Sequence, residues 1–176
     1  EDGRLWESCQ VSTWRLWGYA KGERWQNTDV LLDMLCECAE KGGNLIMNVG
    51  PDGDGRFPPE FTERMTEIGK WLEVHGEAVY GEGGGDLSEF VTFGRQTVRG
   101  NMLYLIIKFW DGSGTLRLAD LVSGVKSVTL LTTGQSLDFK KDGDTLYING
   151  LPKLSPCSLF PVIRVECDGV PSTNEW

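Results

Sequence analysis

An α/β portion followed by an all-β portion, the second an antiparallel sandwich, is the fold class that this 176-residue sequence predicts. Three observations carry it. Two amphipathic helical patterns flank one short apolar run within the first eighty residues. The glycine-rich stretch GEGGGD at 81–86 then interrupts the pattern, and seven short β-rich segments separated by turn residues follow it.

The first helical pattern begins at Asn27 or Thr28, either of which suits a cap, with Asp29 in the first turn. Val30, Leu31, Met34, Leu35 and Cys38 recur at intervals of three and four, and Gly42-Gly43 ends the element. NLIMNVGP, at 44–51, is a short apolar run closed by Gly-Pro and is expected to form a buried strand. DGDGRFPPE makes a loop, and a second helix starts at Pro59 with Phe61, Met65, Ile68, Trp71 and Leu72 as its apolar stripe and Gly76 as its end. The order is therefore loop, helix, strand, loop, helix. A lone strand between helices cannot cover both of its faces, so residues 1–80 are expected to be the closing βα units of a larger parallel barrel or sheet. That expectation places partner elements upstream, as does the absence of an initiating Met.

Residues 81–86 are expected to be a linker, since consecutive glycines suit a flexible connection. In residues 87–169 the segments FVTF, MLYLIIKFW, GTLRLAD, VKSVTLL, SLDF, TLYING and PVIRVEC alternate with turn signals, among them Asp142-Gly143. Such spacing indicates a sandwich. VPSTNEW, residues 170–176, is expected to be a tail.

Composition narrows the partners. Seventeen basic against 26 acidic residues give a net charge of −9, and no Lys/Arg cluster is dense enough to follow a phosphate backbone. A nucleic-acid partner is disfavoured, while a neutral ligand such as a sugar is compatible. No apolar run approaches the roughly 20 residues that cross a bilayer, so no membrane partner is expected. The five cysteines, Cys9, Cys36, Cys38, Cys157 and Cys167, contain no C-x-x-C pair and read as buried thiols more readily than as zinc ligands. A bridge between Cys157 and Cys167 stays open.

Among candidate chemical groups, Glu7 stands out because LWESCQVSTWRLWGY, residues 5–19, holds one carboxylate among three of the seven tryptophans. Packed against Trp6, such a carboxyl would be desolvated, which favours the protonated form that a general acid needs. Aromatic faces also suit the apolar C–H edges of sugar rings. The plainer alternative is a surface glutamate in an aromatic loop.

Four segments then follow one another in order: WESC at 6–9, WGY at 17–19, GGNLIMNVGP at 42–51 and IGKWLEVHGEAVY at 68–80. In that order they resemble the alpha-L-fucosidases of glycoside hydrolase family 29. GNMLYLIIKFW and VKSVTLLTTGQSLDF look like that family's C-terminal sandwich. The resemblance covers almost the whole chain but only the C-terminal portion of a typical member. It implies the C-terminal βα units of a (β/α)8-like barrel followed by an antiparallel β-sandwich, and retaining hydrolysis of alpha-linked L-fucose by two carboxylates.

Under that resemblance Glu7 takes the acid/base position and Trp25 an aromatic position against the sugar's methyl group, with simple packing as the alternative for Trp25. Trp17 and Tyr19 build the floor of the site. No segment matches the family's nucleophilic aspartate, and its paired fucose-binding histidines are not found; His75 is expected to cap its helix. Asp52 and Asp54 read as a turn and not as a calcium loop, and neither metal nor cofactor is expected. Expected partners are a fucosylated glycan and an upstream barrel segment of the same protein, and the chain by itself is expected to be inactive. The alternative is a non-catalytic carbohydrate-binding or adhesion module, against which stands the lack of a clear aromatic platform in the strands.

Overall fold

The computed structural model describes residues 5–81, 87 and 91–174. Strand β1 (Glu7–Val11) runs into a loop and helix α1 (Thr28–Glu40), which returns to strand β2 (Asn44–Asn48). β1 and β2 pair in parallel, Glu7 opposite Asn44 and Val11 opposite Asn48, so this part is a βαβ unit. Helix α2 (Pro59–His75) follows, closed by a single 3₁₀ turn at Gly76–Ala78.

Two expectations fail here for physical reasons. Residues 5–19 contain a strand where a loop is expected, because ESCQV carries only the short alternation of Cys9 and Val11 and owes its extended form to pairing with β2. β2 in turn is exposed at Asn44 and Ile46 and only half-buried elsewhere, because β1 is its one neighbour among the described residues.

Among the described residues, eight further strands build two antiparallel sheets. β3 (Gly94–Arg99), β4 (Met102–Ile107), β10 (Val162–Cys167), β6 (Val125–Leu130) and β7 (Gln135–Ser136) form the first, in that spatial order. β5 (Thr115–Leu118), β9 (Thr145–Asn149) and β8 (Asp138–Asp142) form the second. The FVTF expectation is displaced: Val91–Phe93 precede the strand, and pairing begins at Gly94, opposite Ile107. A Cβ at Gly94 would lie 2.1 Å from the Ile106 carbonyl oxygen, so only glycine admits this approach. Of the linker expected at 81–86, residues 82–86 lie outside the described residues.

β4 organises the packing. Its period of two sends Leu103, Leu105 and Ile107 between the sheets, where Val128, Leu130, Leu146, Ile148, Ile163 and Val165 meet them. Tyr104 and Ile106 point the other way, onto Leu31, Leu32 and Cys36 of α1 and Ile68 and Trp71 of α2. Each such buried side chain contributes roughly 2 kcal/mol. The helices thus serve as a third layer over the five-stranded sheet. Trp71, on the predicted stripe, is buried and donates its indole N–H to the Phe160 carbonyl at 2.7 Å.

Polar contacts join the same layers. Arg95 of β3 meets Asp33, Glu37 and Glu40 of α1, and Lys108 reaches Asp33 at 2.7 Å. Thr97 donates to the Ala78 carbonyl at 2.7 Å. All five cysteines are free thiols; Cys36, Cys38 and Cys167 are buried and Cys9 is exposed. Cys157 donates to the Leu159 carbonyl, and no bridge to Cys167 forms.

Candidate functional site

Because β1 and β2 are parallel, the loops that follow them, 12–27 and 49–58, leave from the same end. The first loop is tightly tied. Ser12 bonds Asn48 through both its N–H and its hydroxyl, at 3.1 and 2.9 Å to the same carbonyl. Thr13 bridges Trp25, the Trp14 N–H meets the Arg24 carbonyl, and the buried Gln26 amide donates to the carbonyls of Val11 and Thr13.

The motif segments prove to be one another's packing partners. Trp6 lies across Gly43, where a Cβ would come within 2.2 Å of the indole ring, and its N–H reaches the Lys41 carbonyl. Gly50 faces the Gly18–Tyr19 peptide so closely that a Cβ would lie 2.2 Å from the Tyr19 nitrogen. Asn48 donates its side-chain amide to the Trp17 carbonyl at 2.7 Å. The W-E-x-C, W-G-Y and G-G-N-x-x-x-N-x-G segments therefore need each other sterically.

At this loop end Trp14, Trp17 and Tyr19 expose more than half their surface. Trp25 is half-buried and leans on Phe61 of α2 at 6.4 Å between ring centres, and Phe57 meets Phe61 edge-on at 5.6 Å. Tyr19, Trp25, Asp52, Phe57 and Glu60 line a cavity of about 220 Å³. Asp52 accepts from the N–H groups of Asp54 and Arg56, which hold its carboxyl below the usual range, and Arg56 also pairs with Asp54. Both aspartates are thereby committed to the turn.

Glu7 does not share this neighbourhood. It is the first residue of β1, opposite Asn44, whereas the aromatic loop leaves after Val11. Four strand steps of about 3.3 Å put roughly 13 Å of backbone between them. Of the two readings of Glu7, burial against Trp6 and a surface glutamate, the structure shows the second: successive residues of an extended chain face opposite ways, so Trp6 covers Gly43 while Glu7 is exposed. Among the sequence-predicted residues, the structure brings Trp17, Tyr19 and Trp25 to one end and leaves Glu7 at the other.

His75 is buried, with Nδ1 at 3.0 Å from the Trp71 carbonyl and Nε2 at 2.9 Å from the Thr132 hydroxyl. It thus satisfies a carbonyl in the last turn of α2, as a cap does. Burial holds its pKa below 6.5, so it caps as a neutral ring.

A family model described as Alpha-L-fucosidase matches residues 1–77. An alpha-L-fucosidase of Branchiostoma floridae is 35% identical over 173 residues, covering 92% of this chain and 38% of that protein. By sequence and by fold, the chain is a relative of the alpha-L-fucosidases. It spans well under half the length of the curated fucosidases it matches. Among solved structures, alpha-L-fucosidase isoenzyme 1 from Paenibacillus thiaminolyticus superposes with a TM-score of 0.83 at 28% identity, over 93% of this chain and 40% of that one. A family 29 enzyme of Bacteroides thetaiotaomicron, trapped as a covalent intermediate with 2-fluoro-fucosyl fluoride, gives 0.81 at 27% identity, over 94% and 38%. The small sheets and few helices of this fucosidase relative thus match the fucosidase C-terminal domain.

Proposed function

We propose that this chain supplies the closing βα units of the catalytic (β/α)8-like barrel, and the appended sandwich, of a retaining alpha-L-fucosidase acting on fucosylated glycans. The observation that carries this reading is the mutual packing of the motif segments, Trp6 on Gly43 and Gly18–Tyr19 on Gly50, in a chain whose relatives bear that activity. The edge of β2 away from β1, unpaired among the described residues, suits a further barrel strand from an upstream segment. In barrel enzymes the site lies where strands end and loops begin, and that is the end which gathers Trp17, Tyr19 and Trp25. Trp25 is assigned to the apolar side of the fucose ring, against its methyl group.

In a retaining reaction one carboxylate attacks the anomeric carbon while a carboxylic acid protonates the departing oxygen. The resulting glycosyl-enzyme ester is then opened by water, whose proton returns to the second group. The motif resemblance assigns the acid/base to Glu7 and the nucleophile to the upstream segment. The 176 residues alone are accordingly expected to be inactive. The position of Glu7 supports a second reading of this one residue. The two carboxyls of a retaining pair stand about 5 to 5.5 Å apart, and Glu7 begins its strand roughly 13 Å before the aromatic loop, so the acid would come from another segment.

One experiment tests both. In the enzyme carrying the complete barrel, Glu7→Gln as the acid slows natural linkages far more than aryl fucosides with good leaving groups, since only the former need protonation. Equal rates on both, relative to the parent, remove Glu7 from the acid role. Loss of all fucosidase activity in the unsubstituted enzyme removes the proposed function itself.

A further inference from the structure

The sandwich carries a second concave site, remote in sequence from the barrel loops. Where β3 begins and β4 ends, Phe93, Phe109, Trp110, Asp111, Thr115 and Arg117 line a cavity of about 260 Å³. Strand-by-strand reading misses it because its aromatic residues come from the two ends of a hairpin and not from one face of a strand.

Its walls are fixed by hydrogen bonds that engage two of the cavity's polar side chains while leaving each with lone pairs to accept: Asp111 through its carboxylate, and Thr115, whose hydroxyl donates to the Asn149 side chain at 3.1 Å. The Phe93 carbonyl accepts from both the Lys108 and the Phe109 N–H groups, at 2.8 and 3.0 Å, which locks the two phenyl-bearing segments together. Trp110 donates its indole N–H to the Pro152 carbonyl at 2.9 Å, so the ring is held at one edge. Asp111 turns the chain by accepting from the Ser113 N–H, and Leu151 closes the floor by donating to the Gly114 carbonyl. Gly112 and Gly114 have φ of +68° and +82°, and a Cβ at Gly112 would meet the Lys153 carbonyl oxygen at 2.7 Å. Phe109 is 68% exposed despite this rigid setting. An apolar ring held open to solvent beside a carboxylate, a hydroxyl and a guanidinium is a combination that neither core packing nor solubility requires.

We infer that this cavity is a carbohydrate-binding site, in which one pyranose ring of a glycan lies on Phe109 and Trp110 while its hydroxyls bond Asp111, Thr115 and Arg117. The chemistry selects a neutral sugar. Aromatic faces accept the C–H side of the ring, and a carboxylate and a guanidinium accept from and donate to vicinal hydroxyls; the Lys108 ammonium, 6.0 Å from the centre of the Phe109 ring, is already held by Asp33. The volume falls below the roughly 300 to 1,000 Å³ of sites for drug-sized ligands, so a single ring is the natural occupant. The inference stands apart from the barrel reading, since no residue of the cavity belongs to residues 1–80.

The test is a titration of the isotopically labelled 176-residue chain with L-fucose, D-galactose and cellobiose, followed by amide and indole NMR shifts. At least one sugar is expected to give saturable shifts centred on Phe93, Phe109–Thr115 and the Trp110 indole N–H. Phe109→Ala, at an exposed position, is expected to weaken that binding about tenfold, and Arg117→Ala to weaken it in the same direction. Trp25→Ala is expected to leave it unchanged. Absence of saturable shifts at these residues with all three sugars overturns the inference, as does unaltered affinity in both cavity variants. Shifts abolished by Trp25→Ala and not by Phe109→Ala assign the binding to the barrel end, and overturn it equally.

Discussion

Arg95 of β3 and Asp33 of α1 face each other through two contacts, Nε to Oδ1 at 2.7 Å and Nη2 to Oδ2 at 3.2 Å. This side-by-side geometry ties the βαβ unit to the sandwich, with Glu37 and Glu40 completing the ring of carboxylates. Burial by itself would raise the Asp33 carboxyl, but hydrogen bonds and charge from Arg95 and Lys108 outweigh it and hold the group below 3.8. Arg95→Met leaves Asp33 with Lys108 and Glu40 with the Gln96 N–H but removes the cation that all three carboxylates share, and is expected to cost roughly 3 kcal/mol in urea or guanidinium unfolding at neutral pH. The sign follows from the depressed carboxyl: its contribution is complete above 3.8 and is lost as pH falls through the lower folded value. The variant's acid limb is therefore expected to be shallower than the parent's, and an identical acid limb would deny Asp33 this role.

Glycine requirements in the motif loops yield a graded set of outcomes. Gly43→Ala and Gly50→Ala each drive a methyl to 2.2 Å from a neighbour, an indole ring in one case and backbone in the other. Backbone yields less readily than a side chain, so Gly50→Ala is expected to be the more damaging, with both losses on the order of 1 to 3 kcal/mol. Gly53→Ala, where nothing lies within 4 Å, serves as the tolerated control. Thermal unfolding of the three variants orders them, and equal melting temperatures would contradict the packing of the motifs described above.

Histidine occurs once in the chain, which makes its titration directly readable. His75 has its folded pKa lowered by burial, so the unfolded chain takes up a proton that the native state refuses. Stability is then complete above 6.5 and declines as pH drops from 6.5 towards the lower folded value. The single imidazole resonance is expected to titrate below 6.5. In His75→Gln the slope of stability against pH in this window is expected to vanish, whatever that variant's absolute stability. Persistence of the same slope would place its origin in another group.

How much of this is legible beforehand depends on whether the signal is local. Periodicity at three and four locates α1 and α2 because Leu31, Ile68 and Trp71 must reach one face of the sheet. The strand β1 escapes because Glu-Ser-Cys-Gln-Val offers only Cys9 and Val11 as apolar alternation, and pairing with a segment more than thirty residues away creates it. FVTF misleads because phenylalanine and valine favour strands, yet ladder bonding begins at a glycine whose neighbour's carbonyl excludes any side chain. The motif spacing is legible, and the structure turns it into contacts. The exposure of Glu7 agrees with the plainer reading, a surface glutamate, since a carboxylate beside a tryptophan in sequence faces away from it in an extended chain. No local signal reports that Phe93, Phe109 and Trp110 converge.

Asn44 and Asn48 read alike in the sequence, two amides on one face of a strand by period two. The structure separates them. Asn44 is exposed, whereas Asn48 donates its side-chain amide to the Trp17 carbonyl and accepts twice from Ser12 through its own backbone carbonyl. Asn48→Ala removes only the first of these, freeing the peptide that carries Trp17 at a cost of about 1 kcal/mol. The consequence is local: the Trp14 N–H, bonded to Arg24 within the same loop, is expected to exchange with solvent faster, while amides of β4 keep their protection. Asn44→Ala is expected to change neither. Hydrogen exchange that accelerates equally in both variants, or in neither, would remove Asn48 as the tie between β2 and the aromatic loop.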